Sequence, residues 1–215
     1  MGLLQRSDAA TRWFSLLAPG YDAVVSQLFW PATLQREGLE RLDLSDDDTV
    51  LDVGCGTGET ARLLVGRTRS VHGVDLSAEQ LETADAKAPL DGCDFVRGDA
   101  CSLPYADDSF DRVVSVGSVM YWEDPRAVLR EVGRVTRPGG EVLVMGFNRR
   151  RSSVASPVRN AQDVVNAALF YRHGPEEAEE LFRSAGWTEV DNAVTGPAWS
   201  PSLVLATTAR WPSDA

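Results

Sequence analysis

The stretch Val50-Leu51-Asp52-Val53-Gly54-Cys55-Gly56-Thr57-Gly58 runs from an apolar strand into a glycine-rich turn. Glycines suit such a turn because the backbone bends sharply and a ligand can approach the main chain without meeting a Cβ. At the carboxyl end of a first strand, the turn occupies the place where open α/β sheets bind ligands. The dinucleotide pattern G-x-G-x-x-G, counted from Gly54 and Gly56, needs glycine at 59, but Glu59 stands there. A carboxylate at that point competes with a pyrophosphate for the positive helix end. No Gly-Lys-Ser/Thr follows, so the phosphate loop of nucleotide hydrolases is absent as well. Asp75, closing the run Ser70–Asp75, can accept from both hydroxyls of a ribose. In Gly98-Asp99-Ala100, Asp99 can accept from an adenine amino group and the Ala100 amide can donate to the ring. These three signals on successive strand ends describe a site for a nucleoside without phosphates.

Other reactive side chains are few. Of the two histidines, His72 falls inside a strand, which leaves His173 as the candidate general base. Cys55, Cys93 and Cys101 are odd in number and form no C-x-x-C pair, so neither a disulfide framework nor a structural zinc site is expected, and no metal. Reduced thiols in a cytoplasm fit that usage. Arg149-Arg150-Arg151 could clamp a substrate carboxylate. Trp13, Phe29, Tyr121, Trp122 and Tyr171 could line a pocket that accepts an aromatic molecule, although most large apolar residues are core.

The elements that must position these groups can be read between residues 49 and 147, where short apolar runs alternate with helix-like segments. Thr49–Val53, Ser70–Val74, Cys93–Val96, Phe110–Val116 and Glu141–Phe147 read as parallel strands of βαβ units. Several are apolar at consecutive positions, as expected for strands covered on both faces. Ser77-Ala78-Glu79-Gln80 reads as a capping box, with the Ser77 hydroxyl accepting from the Gln80 amide and the Gln80 side chain reaching back. Asp124-Pro125 opens another helix, and Arg137-Pro138-Gly139-Gly140 is expected to break it and turn into the next strand. After a helix over Glu176–Ala185, Trp187–Val194 and Leu203–Thr208 complete the sheet as an antiparallel pair. The expected fold is α/β: a doubly wound, mostly parallel, seven-stranded Rossmann-like sheet with an antiparallel C-terminal strand pair. Residues 1–48 form an N-terminal helical cap segment, and residues 49–215 the sheet domain with an inserted cap segment at 148–173.

The 215 residues carry 32 acidic and 21 basic side chains, a net charge of -11. That balance repels phosphate backbones and speaks against nucleic acid. No apolar run approaches the roughly 20 residues of a membrane span, and Asp8 and Arg12 interrupt the start of the chain before the apolar core of a secretory signal develops. The basic residues are 20 arginines and a single lysine, Lys87. An acidic, lysine-poor surface resembles proteins adapted to high salt, and a codon preference for arginine accounts for it equally well.

With these motifs in place, the sequence resembles the class I S-adenosylmethionine-dependent methyltransferases, in the branch similar to ubiquinone- and menaquinone-biosynthesis enzymes. The resemblance rests on Leu51–Gly58, Val74-Asp75-Leu76-Ser77, Gly98-Asp99-Ala100, Leu103-Pro104-Tyr105 with Phe110-Asp111, Arg137–Gly140, and Ala18-Pro19-Gly20-Tyr21-Asp22. It implies S-adenosyl-L-methionine as cofactor, S-adenosyl-L-homocysteine as product, and a small, aromatic or quinone-like methyl acceptor as partner. By the same resemblance, Gly54, Cys55 and Gly56 lie along the methionine moiety and Asp52 orders its amino group. Asp75 takes the ribose, with Gln80 in the same set, Leu76 packs on adenine, and Asp99 with Ala100 reads its edge. Tyr21 touches the carboxylate, and Ser115 lines the fourth strand end. Met120-Tyr121-Trp122 departs from the polar residue common there, which leaves no histidine acid or base at that point. The expected function is therefore a cytoplasmic methyltransferase, monomer or homodimer. A catalytically silent cofactor-binding protein and a nicotinamide-dependent oxidoreductase are the alternatives.

Overall fold

The computed structural model describes residues 30–87, 93–148, 172–195 and 204–213. Along these, the chain builds α1 (Ala32–Leu39), β1 (Thr49–Val53), α2 (Glu59–Leu64), β2 (Ser70–Asp75), α3 (Ala78–Ala86), β3 (Cys93–Arg97), β4 (Phe110–Val116), a 3-10 turn (Val119–Tyr121), α4 (Pro125–Val135), β5 (Thr136–Phe147), α5 (Pro175–Ser184), β6 (Thr188–Thr195) and β7 (Val204–Arg210). The strands form one seven-stranded sheet in the order β3-β2-β1-β4-β5-β7-β6. β1 to β5 pair in parallel, and β7 runs antiparallel to both β5 and β6. This is the expected doubly wound sheet with its antiparallel pair.

The consecutive apolar residues of the central strands divide between two cores, because successive side chains point to opposite faces. Leu51, Val53, Val113, Val142 and Val144 face Leu129 and Val132 of α4 and Phe182 of α5. Val50, Val71, Val114, Leu143 and Met145 face Leu34 and Leu39 of α1 and Leu64 of α2. The part of the expected cap that is described therefore packs on one sheet face, with Leu34, Leu39 and Leu42 in a core. Helix α4 starts where Asp124 accepts from the Ala127 amide at 2.9 Å ahead of Pro125. Trp187, expected to begin β6, is instead a core residue whose indole donates to the Leu129 carbonyl at 2.9 Å.

Two local expectations are corrected. Arg137–Gly140 does not separate helix from strand: β5 begins at Thr136, directly after α4, and the four residues bulge out between the pairs Phe110↔Thr136 and Arg112↔Glu141. The bulge is held by reciprocal bonds, Gly139 amide to Trp211 carbonyl at 3.0 Å and Trp211 amide to Gly140 carbonyl at 2.8 Å. The capping box at Ser77 is half formed. The Gln80 amide donates to the Ser77 hydroxyl at 3.3 Å, but the Ser77 amide donates to Asp75 Oδ1 at 2.9 Å, which leaves the Gln80 side chain no cap to complete.

At the edge of the sheet where the parallel strands begin, charges are paired. Arg112 lies 3.7 Å from Asp48 and 3.4 Å from Glu141, and Arg210 bridges Glu141 at 2.6 Å and Glu189 at 3.0 Å. Arg137 bonds Asp111, and Arg69 reaches Asp47 at 3.1 Å.

Candidate active site

The strand order reverses between β1 and β4, and a cleft opens there at the carboxyl ends of the strands, as the geometry of wound sheets requires. Its volume is about 260 Å³. The walls come from Trp30 and Gln35, the turn Gly54–Thr57, Glu59 and Thr60, the β2 end Val74–Ser77, Gln80, the loop Gly98–Cys101, Val116–Ser118, Tyr121–Glu123 and Val128.

The glycine turn is pinned to β2, with the Gly54 and Cys55 amides donating to the Val74 carbonyl at 2.8 and 3.1 Å. Gly56 has φ +53, and a Cβ built there would meet only the Gln80 oxygen at 3.7 Å, so the turn needs glycine for its backbone and leaves open space before it. Asp75 organises the site. Its Oδ2 accepts from the Gly56 amide and its Oδ1 from the Ser77 amide, both at 2.9 Å, which leaves each oxygen a further lone pair. Burial raises its pKa above the ordinary carboxylate value, and the amides of Ser77, Gly56 and Leu76 oppose that rise. Leu76 is 39% exposed on the cleft wall. Asp99 accepts from the Cys101 amide at 2.9 Å through Oδ1.

Two buried polar groups beside the turn lack partners among the described residues. Gln80 is 3% exposed and its Oε1 has no donor, because Asp75 has taken the amide that the capping box would have supplied. Asp52 is 1% exposed, and neither carboxylate oxygen has a hydrogen-bond partner. Burial, and then the Asp75 charge, push its pKa up to about 8, against a weaker pull from the Ala61 amide. Burial and the same two acids raise the Cys55 thiol.

No lysine or arginine is among the described residues that line the cleft, whereas Glu59, Asp75, Asp99 and Glu123 are. Lys87 stands nearby but bonds Glu59 at 3.0 Å. A phosphorylated cofactor finds no cation among the described walls, and its pyrophosphate would face Glu59 at the start of α2. A nucleoside that carries positive charge fits: the acids attract it, Asp75 and Asp99 keep free lone pairs, Leu76 offers an apolar face, and the orphaned Asp52 and Gln80 oxygens await donors.

Of the residues singled out in the sequence, Gly54, Cys55, Gly56, Asp75, Leu76, Gln80, Asp99, Ala100, Tyr121 and Trp122 lie together on this cleft, and Asp52 stands behind it on β1. Ser115 does not line it. Its hydroxyl is 2.7 Å from that of Ser118, which donates to the Val53 carbonyl at 3.1 Å and faces the cleft in its place. His173 is buried elsewhere, on a separate cavity of about 20 Å³ with Leu129, Phe182 and Thr207, and only Trp122 is shared by both sets of walls. It is not placed to act as a base in the main cleft. Tyr21, Trp13, Phe29, Arg149 and Tyr171 lie outside the described residues. Among the described residues no group of His, Cys, Asp and Glu could hold a metal ion.

Sequence reasoning missed how the cleft is tied to α1. The Gln35 amide nitrogen donates to the Trp30 carbonyl at 2.7 Å, and its oxygen accepts from the Thr60 hydroxyl at 2.9 Å, all three residues lining the cleft. Trp30 stacks on Phe147 with ring centroids 5.5 Å apart, over Gly117. The available signal was a glutamine beside Leu34 on a helix whose neighbouring residues are core.

Residues 51–144 match a family model described as a methyltransferase domain. The chain is 36% identical over 199 residues to the chloroplastic 2-methyl-6-phytyl-1,4-hydroquinone methyltransferase of Arabidopsis thaliana, covering 91% of this chain and 57% of that one. It thus spans little more than half the length of that relative. It is 28% identical over 209 residues to the demethylmenaquinone methyltransferase of Paenarthrobacter aurescens, covering 87% of this chain and 82% of the other. Among solved structures, the [4+2]-cyclase SpnF superposes with a TM-score of 0.76 at 22% identity over 96% of each chain, a likeness of fold.

Proposed function

We propose that the chain is a class I S-adenosylmethionine-dependent methyltransferase, as the matched methyltransferase domain and the relatives support, and that it transfers a methyl group from S-adenosyl-L-methionine to a small quinone-like or aromatic acceptor. Bound in the cleft, the cofactor supplies an electrophilic methyl on a positively charged sulfur and leaves as S-adenosyl-L-homocysteine. The observation that carries the reading is the cleft itself: a glycine-rich turn, acids at the ends of β2 and β3, and no described cation on its walls.

The residues divide the work. Asp75, its backbone bonds already made, accepts from the ribose hydroxyls, with the Gln80 oxygen beside it. Leu76 covers one adenine face, and Asp99 and the Ala100 amide read its amino edge. Gly54 and Gly56 admit the methionine moiety, with Asp52 behind them. Trp30, Tyr121 and Trp122 supply flat apolar wall for the acceptor. Methyl transfer from sulfur disperses charge, so alignment and exclusion of water dominate, and holding two reactants at near-attack distance supplies about 7–11 kcal/mol. His173 has no place in this scheme. The quinone-like acceptor is supported by the hydroquinone and demethylmenaquinone methyltransferases among the relatives. The -11 charge and the three free thiols support a protein that avoids nucleic acid and works in the cytoplasm.

The test is label transfer from methyl-tritiated S-adenosyl-L-methionine to a panel of demethylated quinols, with phosphorylated and cationic small molecules beside them. Cofactor-dependent labelling of a quinol is expected. Cofactor binding with no labelling across the panel would leave a silent cofactor-binding protein, and binding of NADH alone would revive the oxidoreductase.

A further inference from the structure

Asp52 is the least compensated charge-bearing group among the described residues. It is 1% exposed on β1, two residues before Gly54, and both oxygens lack hydrogen-bond partners. The groups around it supply no positive charge. From β2 comes the Asp75 carboxylate, from β3 the Cys93 thiol, and from the glycine turn the Cys55 thiol, which in turn feels Asp85 of α3. On the β4 side, Val114 pairs beside Asp52, and the Ser115 and Ser118 hydroxyls are occupied with each other and with Val53. From α2 come the Ala61 amide and Glu59, whose carboxylate is paired with Lys87, and α1 offers only neutral Gln35. A buried carboxylate in such surroundings is most stable neutral, holding its proton.

The cofactor reading above, on which this inference rests, brings a sulfonium into the adjoining cleft. S-adenosyl-L-methionine carries one more positive charge than S-adenosyl-L-homocysteine, since both keep the ammonium and carboxylate of the amino acid. We propose that Asp52 makes the cleft selective for that extra charge. It is a carboxylic acid in the free protein, gives its proton to solvent as the cationic cofactor binds, and takes a proton back from solvent once the cofactor has become the neutral thioether. The proton count closes over a turnover. Asp52 thereby contributes a preference for substrate over product while touching neither the acceptor nor the methyl in flight.

Isothermal calorimetry at pH 7 in buffers of different ionisation enthalpy counts the protons exchanged. S-adenosyl-L-methionine is expected to release a substantial fraction of one proton, and S-adenosyl-L-homocysteine distinctly less. Its affinity should rise up to about tenfold per pH unit from pH 6 to 8 and level off above, the product's curve being flatter. Asp52→Asn should abolish the release and the slope. Should that variant fail to fold, the wild-type buffer series decides alone. Binding of both ligands without proton exchange, or with equal release for the two, overturns the inference and leaves the cofactor reading intact. Failure of both ligands to bind overturns the cofactor reading.

Discussion

Replacing Gln35 with leucine tests whether the link between α1 and the cleft is structural in the way its geometry indicates. Leucine nearly conserves the volume, so the loss is confined to two buried bonds, from the side-chain amide to the Trp30 carbonyl at 2.7 Å and from the Thr60 hydroxyl at 2.9 Å. Leaving a buried polar group unpaired costs about 1–3 kcal/mol. Thr60 can redirect its hydroxyl to a carbonyl one turn back, in the glycine turn that precedes α2, so most of the cost falls on the Trp30 carbonyl, and about 2–3 kcal/mol in total is expected. Urea unfolding reads it directly, as a lower midpoint with unchanged m-value. Thr60→Val alone should cost less, and the double variant should be destabilised by less than the sum of the two, because both partners of the second bond are then gone. A Gln35→Leu loss under about 0.5 kcal/mol, within the range of ordinary surface changes, or strict additivity in the cycle, would refute the relay.

Asp75→Ala should weaken S-adenosyl-L-methionine binding by about 1–3 kcal/mol, because the ribose hydroxyls lose their acceptor and the Gly56 amide its anchor; calorimetry showing equal affinity would remove the ribose role. Gly117→Ala should cost about 2 kcal/mol or more, since φ is +75 and a Cβ would lie 2.7 Å from the Trp30 ring, and a denaturant midpoint equal to wild type would argue against that contact. For the free protein, Asp52 holds its proton up to about pH 8 when folded and only to 3.8 when unfolded. It therefore favours the fold below the unfolded value and loses that contribution as pH rises through the folded one, at about 1.4 kcal/mol per pH unit. Asp52→Asn has no such slope, so its melting temperature should gain on wild type from pH 5 to 8 and hold the gain above. Parallel curves would show that Asp52 is solvated.

The seven strands were legible because β1, β4 and β5 are apolar on both faces, a pattern that a wound sheet produces and an exposed sheet does not. The places of Asp75 and Asp99 on the cleft were legible because wound sheets open their clefts at the carboxyl ends of the strands. What escaped depended on tertiary partners. Arg137-Pro138-Gly139-Gly140 has the composition of a turn, and only the bonds to Trp211 make it a bulge within β5. Ser115 and Ser118 are equivalent in sequence, but Ser118 belongs to the loop that crosses Gly54 and Val53, and that approach decides which hydroxyl meets the cleft. His173 has the chemistry of a base and stands at the end of an expected cap segment, but the core around Leu129 and Phe182 takes it in. The bonds of Gln35 and the unpaired oxygen of Gln80 are consequences of competition for hydrogen bonds, which has no signature along the chain.

The arginine pairs at the amino-terminal edge of the sheet and the acids of the cleft at its opposite edge give the molecule a polarity along the strand axis. One end is close to electrical balance, with Arg69, Arg112, Arg137 and Arg210 set against Asp47, Asp48, Asp111, Glu141 and Glu189. At the other, Asp75, Asp99 and Glu123 stand with no described cation among the cleft walls. A diffusing cation is drawn toward the cleft from about a Debye length away, roughly 8 Å in physiological salt, and an uncharged molecule is not. Long-range attraction therefore raises the rate at which a cationic ligand enters relative to an uncharged one, and dilute salt strengthens that bias.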